Sequence, residues 1–168
     1  NAVIVPDGTI VPLKPGLAGF ITQALGGSFT IYVEGNLYRI SGEDADAIGK
    51  ESTRPPELPP NATLEDVRQL AWAQMRNCYD PEIPINIVEL GLVYACDVAA
   101  AADGSREVSV RMTLTAPGCG MGEVLVQDVR EKVQAIPTVS KVDVELVFDP
   151  PWSQSMMSEA ARLQTGMM

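Results

Sequence analysis

Residues 108–136 read VSVRMTLTAPGCGMGEVLVQDVREKVQAI, and this stretch passes from a strand pattern to a helix pattern through one loop. Before the loop, alternate residues are apolar, as in a strand with one buried face. These residues are Val108, Val110, Met112 and Leu114. After the loop, apolar residues recur every four positions, as on one face of a helix. These residues are Met121, Leu125, Val129 and Val133. We therefore predict a strand, a tight connection and a helix.

Similar patterns on either side extend this unit. Period-two alternation predicts strands over Leu90–Val98 and Lys141–Phe148. Thr63 and Asp66 form a capping-box pattern that predicts the start of a helix, and a last helix is predicted over Ser153–Gln164. The order α-β-β-α-β-α predicts an α+β fold, a small open β-sheet with helices packed on one face.

The first part of the chain has a different pattern. Residues 1–49 contain short apolar runs separated by Gly-rich turns, which predict a small β-rich N-terminal segment with a hairpin at Gly35-Asn36. This segment is too small to bury much apolar surface by itself, so we expect it to pack on the rest of the chain or on a partner. Residues 50–62 contain four prolines and predict a linker. The predicted organisation is a β-rich extension at 1–49, a linker at 50–62 and an α/β domain at 63–168.

Composition restricts the function. The 168 residues carry a net charge of -10 and include no histidine. The negative charge disfavours nucleic acid and anionic membrane surfaces as partners, while a basic protein surface or a metal cation stays compatible. The missing histidine excludes Ser-His-Asp and Cys-His catalysis and His-containing zinc sites. No apolar run is long enough to span a bilayer, and three cysteines without regular spacing fit a reducing compartment, so we expect a cytoplasmic protein.

The loop between the predicted strand and helix carries the main candidate site. Thr115, Gly118, Cys119 and Gly120 lie in it. Glycines let the backbone approach a ligand, and free amides at a helix N-terminus stabilise a thiolate, so the pKa of Cys119 should fall below about 8.5. A thiolate is both a nucleophile and a metal ligand. The structural alternative is a small cysteine buried in a tight turn.

Four other residues are weaker candidates. Asp80 and Glu82 lie in a proline-bounded loop, Glu89 precedes a glycine, and Trp152 follows the last predicted strand. Each also has a structural interpretation, as a solvated carboxylate, a turn cap or a core ring. The remaining cysteines, Cys78 and Cys96, fall on the apolar faces of their elements and are expected to be structural.

Three stretches of the sequence carry a family resemblance. They are Tyr79–Tyr94, Thr113–Gly122 and the short proline-containing stretch Asp149–Trp152. They resemble the family that contains SufT, PaaD-like proteins and the eukaryotic cytosolic iron–sulfur targeting subunits, over about residues 63–168. The segments 23–30 and 35–40 resemble the N-terminal extension of SufT. The chain lacks the C-terminal cysteine-rich zinc element of PaaD-like relatives, which argues against the phenylacetate-oxygenase branch.

The resemblance implies an accessory or adaptor protein of iron–sulfur cluster assembly or transfer in the SUF system, without catalytic turnover. It places the reactive cysteine at Cys119 and the acidic loop at Asp80 and Glu82. The implied cargo is a transient iron–sulfur cluster or metal ion, and the implied partners are the assembly machinery and client apoproteins. One thiolate per chain cannot hold a stable cluster, whereas a homodimer would supply two. Two alternatives stay open: a cysteine-dependent transferase or redox enzyme, and a scaffolding module in which Cys119 is incidental.

Overall fold

The computed structural model describes residues 1–80, 83–117, 120 and 122–166. The first 40 residues form a five-stranded antiparallel sheet with the strand order β2-β1-β5-β4-β3. Its strands are β1 Ala2–Val5, β2 Ile10–Val11, β3 Gly19–Leu25, β4 Ser28–Val33 and β5 Asn36–Ile40. Apolar residues on one face, with Ala2, Ile31, Val33 and Ile40 at their centre, form a small core beside the 3-10 helix Gly42–Ile48. The β-rich N-terminal segment expected from the sequence is present.

Two tight turns shape this sheet. Gly26 and Gly27 connect β3 to β4, and both have positive φ angles. Glu34 and Gly35 connect β4 to β5, also with positive φ angles. Turns of this kind match the right-handed twist of the flanking strands. The predicted hairpin is therefore confirmed, but its loop begins one residue earlier than predicted, because Asn36 pairs with Val33 and belongs to β5.

The rest of the chain begins with helix α1, Leu64–Met75. Residues 50–62, all of which are described, contain neither helix nor strand. The predicted capping box is present: Thr63 Oγ1 accepts from the backbone N–H of Asp66 at 3.2 Å, and Asp66 Oδ2 accepts from that of Thr63 at 2.7 Å. Both bonds satisfy amides at the helix start, and the hydrogen bond that the Asp66 carboxylate accepts from the backbone N–H of Thr63 lowers the pKa of Asp66.

A second sheet follows, with the order β6-β7-β8. Its strands are β6 Val93–Ala100, β7 Arg106–Met112 and β8 Val139–Leu146. β7 pairs antiparallel with β6 and parallel with β8, and α2, Gly122–Gln134, makes the crossover from β7 to β8. Val108, Val110 and Met112 are buried under the helices, whereas the intervening side chains of β7 are more exposed. The α+β fold class with one helix-covered sheet face is confirmed.

Several predicted boundaries were wrong. β8 covers Val139–Leu146 rather than Lys141–Phe148. β6 begins at Val93 rather than Leu90, because Gly91 has a φ of 75° and ends a turn in which Leu90 and Leu92 are buried. The last helix is interrupted: the 3-10 helix Gln154–Met156 is followed by Met157 in an extended conformation, and α3 covers only Glu159–Thr165. The Ser158 hydroxyl caps α3 by accepting from the N–H of Ala161 at 3.1 Å.

The N-terminal sheet is fixed to α2 by a buried ionic cluster. Arg39 on β5 donates to Asp128 on α2, and its Nη1 lies 3.7 Å from Glu131 Oε2. Lys132 Nζ lies 3.3 Å from Asp128 Oδ1 and donates to the carbonyl of Gly26 at 2.8 Å. Because Arg39 and Asp128 are both buried, this pairing is a specific contact between the two parts of the chain. None of the helices in the described ranges combines the length and apolar character that a transmembrane passage requires.

Candidate functional site

Three connecting segments meet at one end of the second sheet. Val93 at the start of β6 pairs with Met112 at the end of β7, and Met112 pairs with Leu146 at the end of β8. The residues before Val93, after Met112 and after Leu146 therefore emerge at the same end of the sheet. The candidate residues of the sequence lie in these three segments. Glu82, Gly118 and Cys119 lie outside the described residues.

Asp80 is held in a turn rather than exposed to solvent. Its side chain is 4% exposed, and Oδ1 accepts from the backbone N–H of Ile83 at 2.9 Å. Its own N–H donates to the carbonyl of Ile85 at 3.2 Å, next to a bridge between Tyr79 and Asn86. Asp80 is thus bonded to the backbone of Ile83 and Ile85.

Glu89 lies in the following turn, which is tied to the C-terminal part of the chain. Its backbone N–H donates to Asn86 Oδ1 at 2.9 Å, and its carbonyl accepts from the N–H of Ser158 at 2.8 Å. Gly91 approaches the 3-10 helix so closely that a Cβ atom there would lie 2.2 Å from the carbonyl oxygen of Met156. The backbone around Glu89 is therefore positioned by contacts from both sides.

Trp152 supports the same turn. Its Nε1 donates to the carbonyl of Leu90 at 2.7 Å, and the ring packs at the edge of the main core. Nearby, the Tyr94 hydroxyl donates to the carbonyl of Pro150 at 2.8 Å. The ring thus lies at the sheet end, against the core, and its hydrogen bond is to the protein backbone.

The segment after β7 carries the predicted reactive loop. Thr113 is fully buried and its N–H donates to the carbonyl of Leu92 at 2.8 Å, while its Oγ1 has no hydrogen-bond partner in the described part of the chain. Thr115 is half-buried and Gly120 is exposed. A Cβ atom at Gly122, the first residue of α2, would lie 2.8 Å from Leu114 Cδ1, so this helix start packs tightly on the end of β7.

A turn of the N-terminal sheet lies next to the segment between β7 and α2. A Cβ atom at Gly120 would lie 3.8 Å from Pro6 Cβ, and one at Gly8 would lie 3.2 Å from Glu123 Cβ. The turn between β1 and β2 therefore borders the start of α2. Sequence reasoning missed this neighbour, because no local pattern relates residues 6–8 to residues more than a hundred positions away.

The two described cysteines are poor candidates for thiolate chemistry. Cys78 is fully buried at the end of α1 and Cys96 is 1% exposed on β6. Burial, and after it the negative charge of Asp128, raises the pKa of Cys78 well above its ordinary value. Burial also raises the pKa of Cys96 to about 11. Both thiols stay protonated near neutral pH. The predicted location of Cys96 on the buried face of its strand is confirmed, whereas Cys78 is buried in the connection after α1 rather than on the helix itself.

The described residues offer no group of three or more His, Cys, Asp or Glu side chains that could hold a metal ion. A resident metal site is therefore not formed by the described side chains of a single chain.

Known proteins are similar in sequence to the part of the chain that contains α1, the second sheet and α2. A family model described as iron–sulfur cluster assembly protein matches residues 68–146. The chain is 44% identical over 106 residues to an Fe-S protein maturation auxiliary factor of Porphyromonas gingivalis, covering 63% of this chain and 93% of that protein. It is 40% identical over 87 residues to the Fe-S protein maturation auxiliary factor SufT of Staphylococcus aureus, covering 52% of this chain and 94% of that protein.

The fold is shared as well. The crystal structure of a domain of unknown function, DUF59, from Bacillus anthracis matches with a TM-score of 0.54 and 34% identity, covering 62% of this chain and 96% of that chain. More than a third of the present chain lies outside each of these matches, and the family model begins only at residue 68. The resemblance inferred from the sequence is confirmed: this chain belongs to the iron–sulfur cluster assembly protein family.

Proposed function

We propose that this chain is an adaptor in iron–sulfur cluster assembly or transfer, and that it contacts its cargo through Cys119. Relatives named as Fe-S protein maturation auxiliary factors match over more than nine-tenths of their own length, which supports the pathway. The proposed partners are the assembly machinery and client apoproteins, in the cytoplasm.

The single observation that carries the assignment to Cys119 is that the other two thiols are buried and have raised pKa values. The sequence has three cysteines, and Cys78 and Cys96 are both buried with raised pKa values. Iron–sulfur clusters are bound by thiolates, and a buried, protonated thiol is a poor ligand. Cys119 is therefore the thiol to which cluster or metal chemistry is assigned.

The location of Cys119 in the sequence also supports this role. It stands three residues before Gly122, where α2 begins. Backbone amides in the first turn of a helix have no intrahelical partners and favour negative charge nearby, so the pKa of this thiol is proposed to be lowered. Glu89, in the turn before β6, and Glu82, which precedes it in the sequence, are proposed as supporting carboxylates.

The ligand count indicates transfer rather than storage. Stable clusters generally need four protein ligands, and one chain offers one reactive thiolate. A homodimer would offer two, with carboxylates or small thiols completing the coordination. A cluster bound in this way would be labile, as transfer to a client apoprotein requires.

Anaerobic reconstitution with iron and sulfide tests the proposal. Wild type and Cys119→Ser are compared by visible absorption, with Cys96→Ala as a matched control that removes a buried thiol. We expect cluster absorption in wild type and Cys96→Ala and its loss in Cys119→Ser, with unchanged circular dichroism in all three. Equal absorption in Cys119→Ser would exclude Cys119 as a ligand, and no uptake by wild type would contradict the cargo role itself.

A further inference from the structure

A row of exposed apolar side chains crosses the N-terminal sheet. Phe20, Tyr32 and Leu37 are 63%, 38% and 36% exposed. Phe20 pairs with Tyr32, and Tyr32 pairs with Leu37, on neighbouring antiparallel strands. Residues that pair directly across antiparallel strands project from the same face, so the three side chains form one continuous row. The Phe20 and Tyr32 rings are in contact, with centroids 5.2 Å apart.

The row lies on the same sheet face that packs against α2. The adjacent row on this face contains Arg39, which is two residues from Leu37 and is buried against Asp128. Leu37 itself pairs with Val5, and the turn that follows Val5 borders Gly120. The exposed row therefore lies on the part of this sheet face that α2 does not cover. It is at the end of the N-terminal sheet that borders the candidate site.

The row ends at a free strand edge. β3 pairs with β4 only and is the outermost strand of the described sheet, and six of its seven residues are exposed. The pairing is regular over Gly19–Ile21, the stretch that contains Phe20, before a bulge at Thr22. A free edge presents unpaired N–H and C=O groups, and these groups select an added segment in extended conformation.

Charge indicates the composition of such a segment. Asp7 and Glu34 are exposed and lie in the turns at the end of the sheet that carries the row. Strands β1 to β4 contain no Lys or Arg, and Arg39 on β5 is buried and paired. The whole chain carries a net charge of -10, so at this edge a segment with basic side chains is favoured over pairing with the same strand of a second copy.

We propose that the β3 edge and the Phe20–Tyr32–Leu37 row bind an extended segment of a partner protein in which apolar residues alternate with Lys or Arg. The apolar side chains of the segment cover the row, and its backbone pairs with β3. Its basic side chains project from the opposite side of the segment and are attracted by the net negative charge of the chain. This surface is separate from the role proposed for Cys119 and does not depend on it.

A displayed library of short random peptides, selected on the full chain, provides the probe. Enriched peptides are then measured by fluorescence anisotropy against wild type, Phe20→Ser/Tyr32→Ser and Leu163→Ser. Leu163 is the matched control because it is 57% exposed but lies on α3. We expect enrichment of peptides in which apolar and basic residues alternate. They should bind the double variant at least about tenfold more weakly than wild type, because buried aromatic side chains dominate the affinity of such interfaces. Binding to Leu163→Ser should be unchanged.

Three results would overturn the proposal. The first is no enrichment on wild type, and the second is enriched peptides that bind the double variant as well as wild type. The third is a dimer of the wild type, seen by sedimentation, that the Phe20→Ser/Tyr32→Ser substitutions dissociate, because the surface would then serve self-association. Circular dichroism and urea unfolding verify that the variants are folded, and because no cluster is present in the assay, its outcome is independent of the cargo role.

Discussion

Removal of the Asp128 carboxylate should strongly destabilise the protein. Asp128 and Arg39 are 6% and 7% exposed, so Asp128→Ala leaves a buried guanidinium without its main partner. Breaking such a pair from one side costs about 3–5 kcal/mol. Glu131 Oε2 lies 3.7 Å from Arg39 Nη1 and compensates in part, so the lower end of this range is expected. For a chain of this size, about 3 kcal/mol corresponds to a fall in Tm of about 6–12 °C.

Urea unfolding followed by circular dichroism measures this effect. The matched control is Glu145→Ala, which breaks a pair with Arg111 whose side chains are 66% and 59% exposed and whose N···O distance is 3.4 Å. An exposed pair contributes less than about 1 kcal/mol. The double variant Arg39→Met/Asp128→Leu should be more stable than Asp128→Ala, because it leaves no unpaired charge from the pair. Equal small losses of stability in Asp128→Ala and Glu145→Ala would show that the buried pair contributes no more than an exposed one.

Two further predictions concern a turn and a thiol. Gly91→Ala should lower the free energy of unfolding in urea more than Gly104→Ala. Both glycines have positive φ angles, but only at Gly91 would the new Cβ clash with the backbone, 2.2 Å from the Met156 oxygen. Equal losses of stability would contradict this. Cys96 keeps its proton in the native state up to a pKa of about 11, whereas the unfolded chain releases it near 9.0. Raising the pH through this window should therefore destabilise wild type more than Cys96→Ala, and parallel pH profiles would contradict it.

The elements that were predicted correctly depend on local patterns. The Thr63 capping box needs only residues three apart, and the strand–helix pattern of residues 108–136 reflects which faces are buried. The boundary errors arose where apolar spacing continued through a turn. Leu90 and Leu92 keep the strand alternation, but the positive φ angle of Gly91 places them in a turn, and Met157 keeps the helix spacing in an extended conformation.

The contacts between the N-terminal sheet and α2 could not be predicted. Arg39 and Asp128 are 89 positions apart, and each alone has the appearance of a surface charge in the sequence. The contact of Pro6 with Gly120 also joins residues that are far apart in the sequence, so no local pattern predicts it. For the candidate site, the sequence pattern indicated the three segments, and the strand pairing explains why they share one sheet end. The role of Asp80 in a turn needed the structure, because a buried cap and a solvated carboxylate have the same local sequence.

The relative reactivity of the three thiols in the native protein tests the assignment of the cluster or metal contact to Cys119. Alkylation by iodoacetamide near neutral pH, followed by peptide mapping with mass spectrometry, gives a rate for each cysteine. We expect rapid modification of Cys119. Cys78 and Cys96 should be modified only when urea unfolds the chain, since both are buried with raised pKa values. Modification of Cys78 or Cys96 in the native protein as fast as that of Cys119 would contradict this assignment.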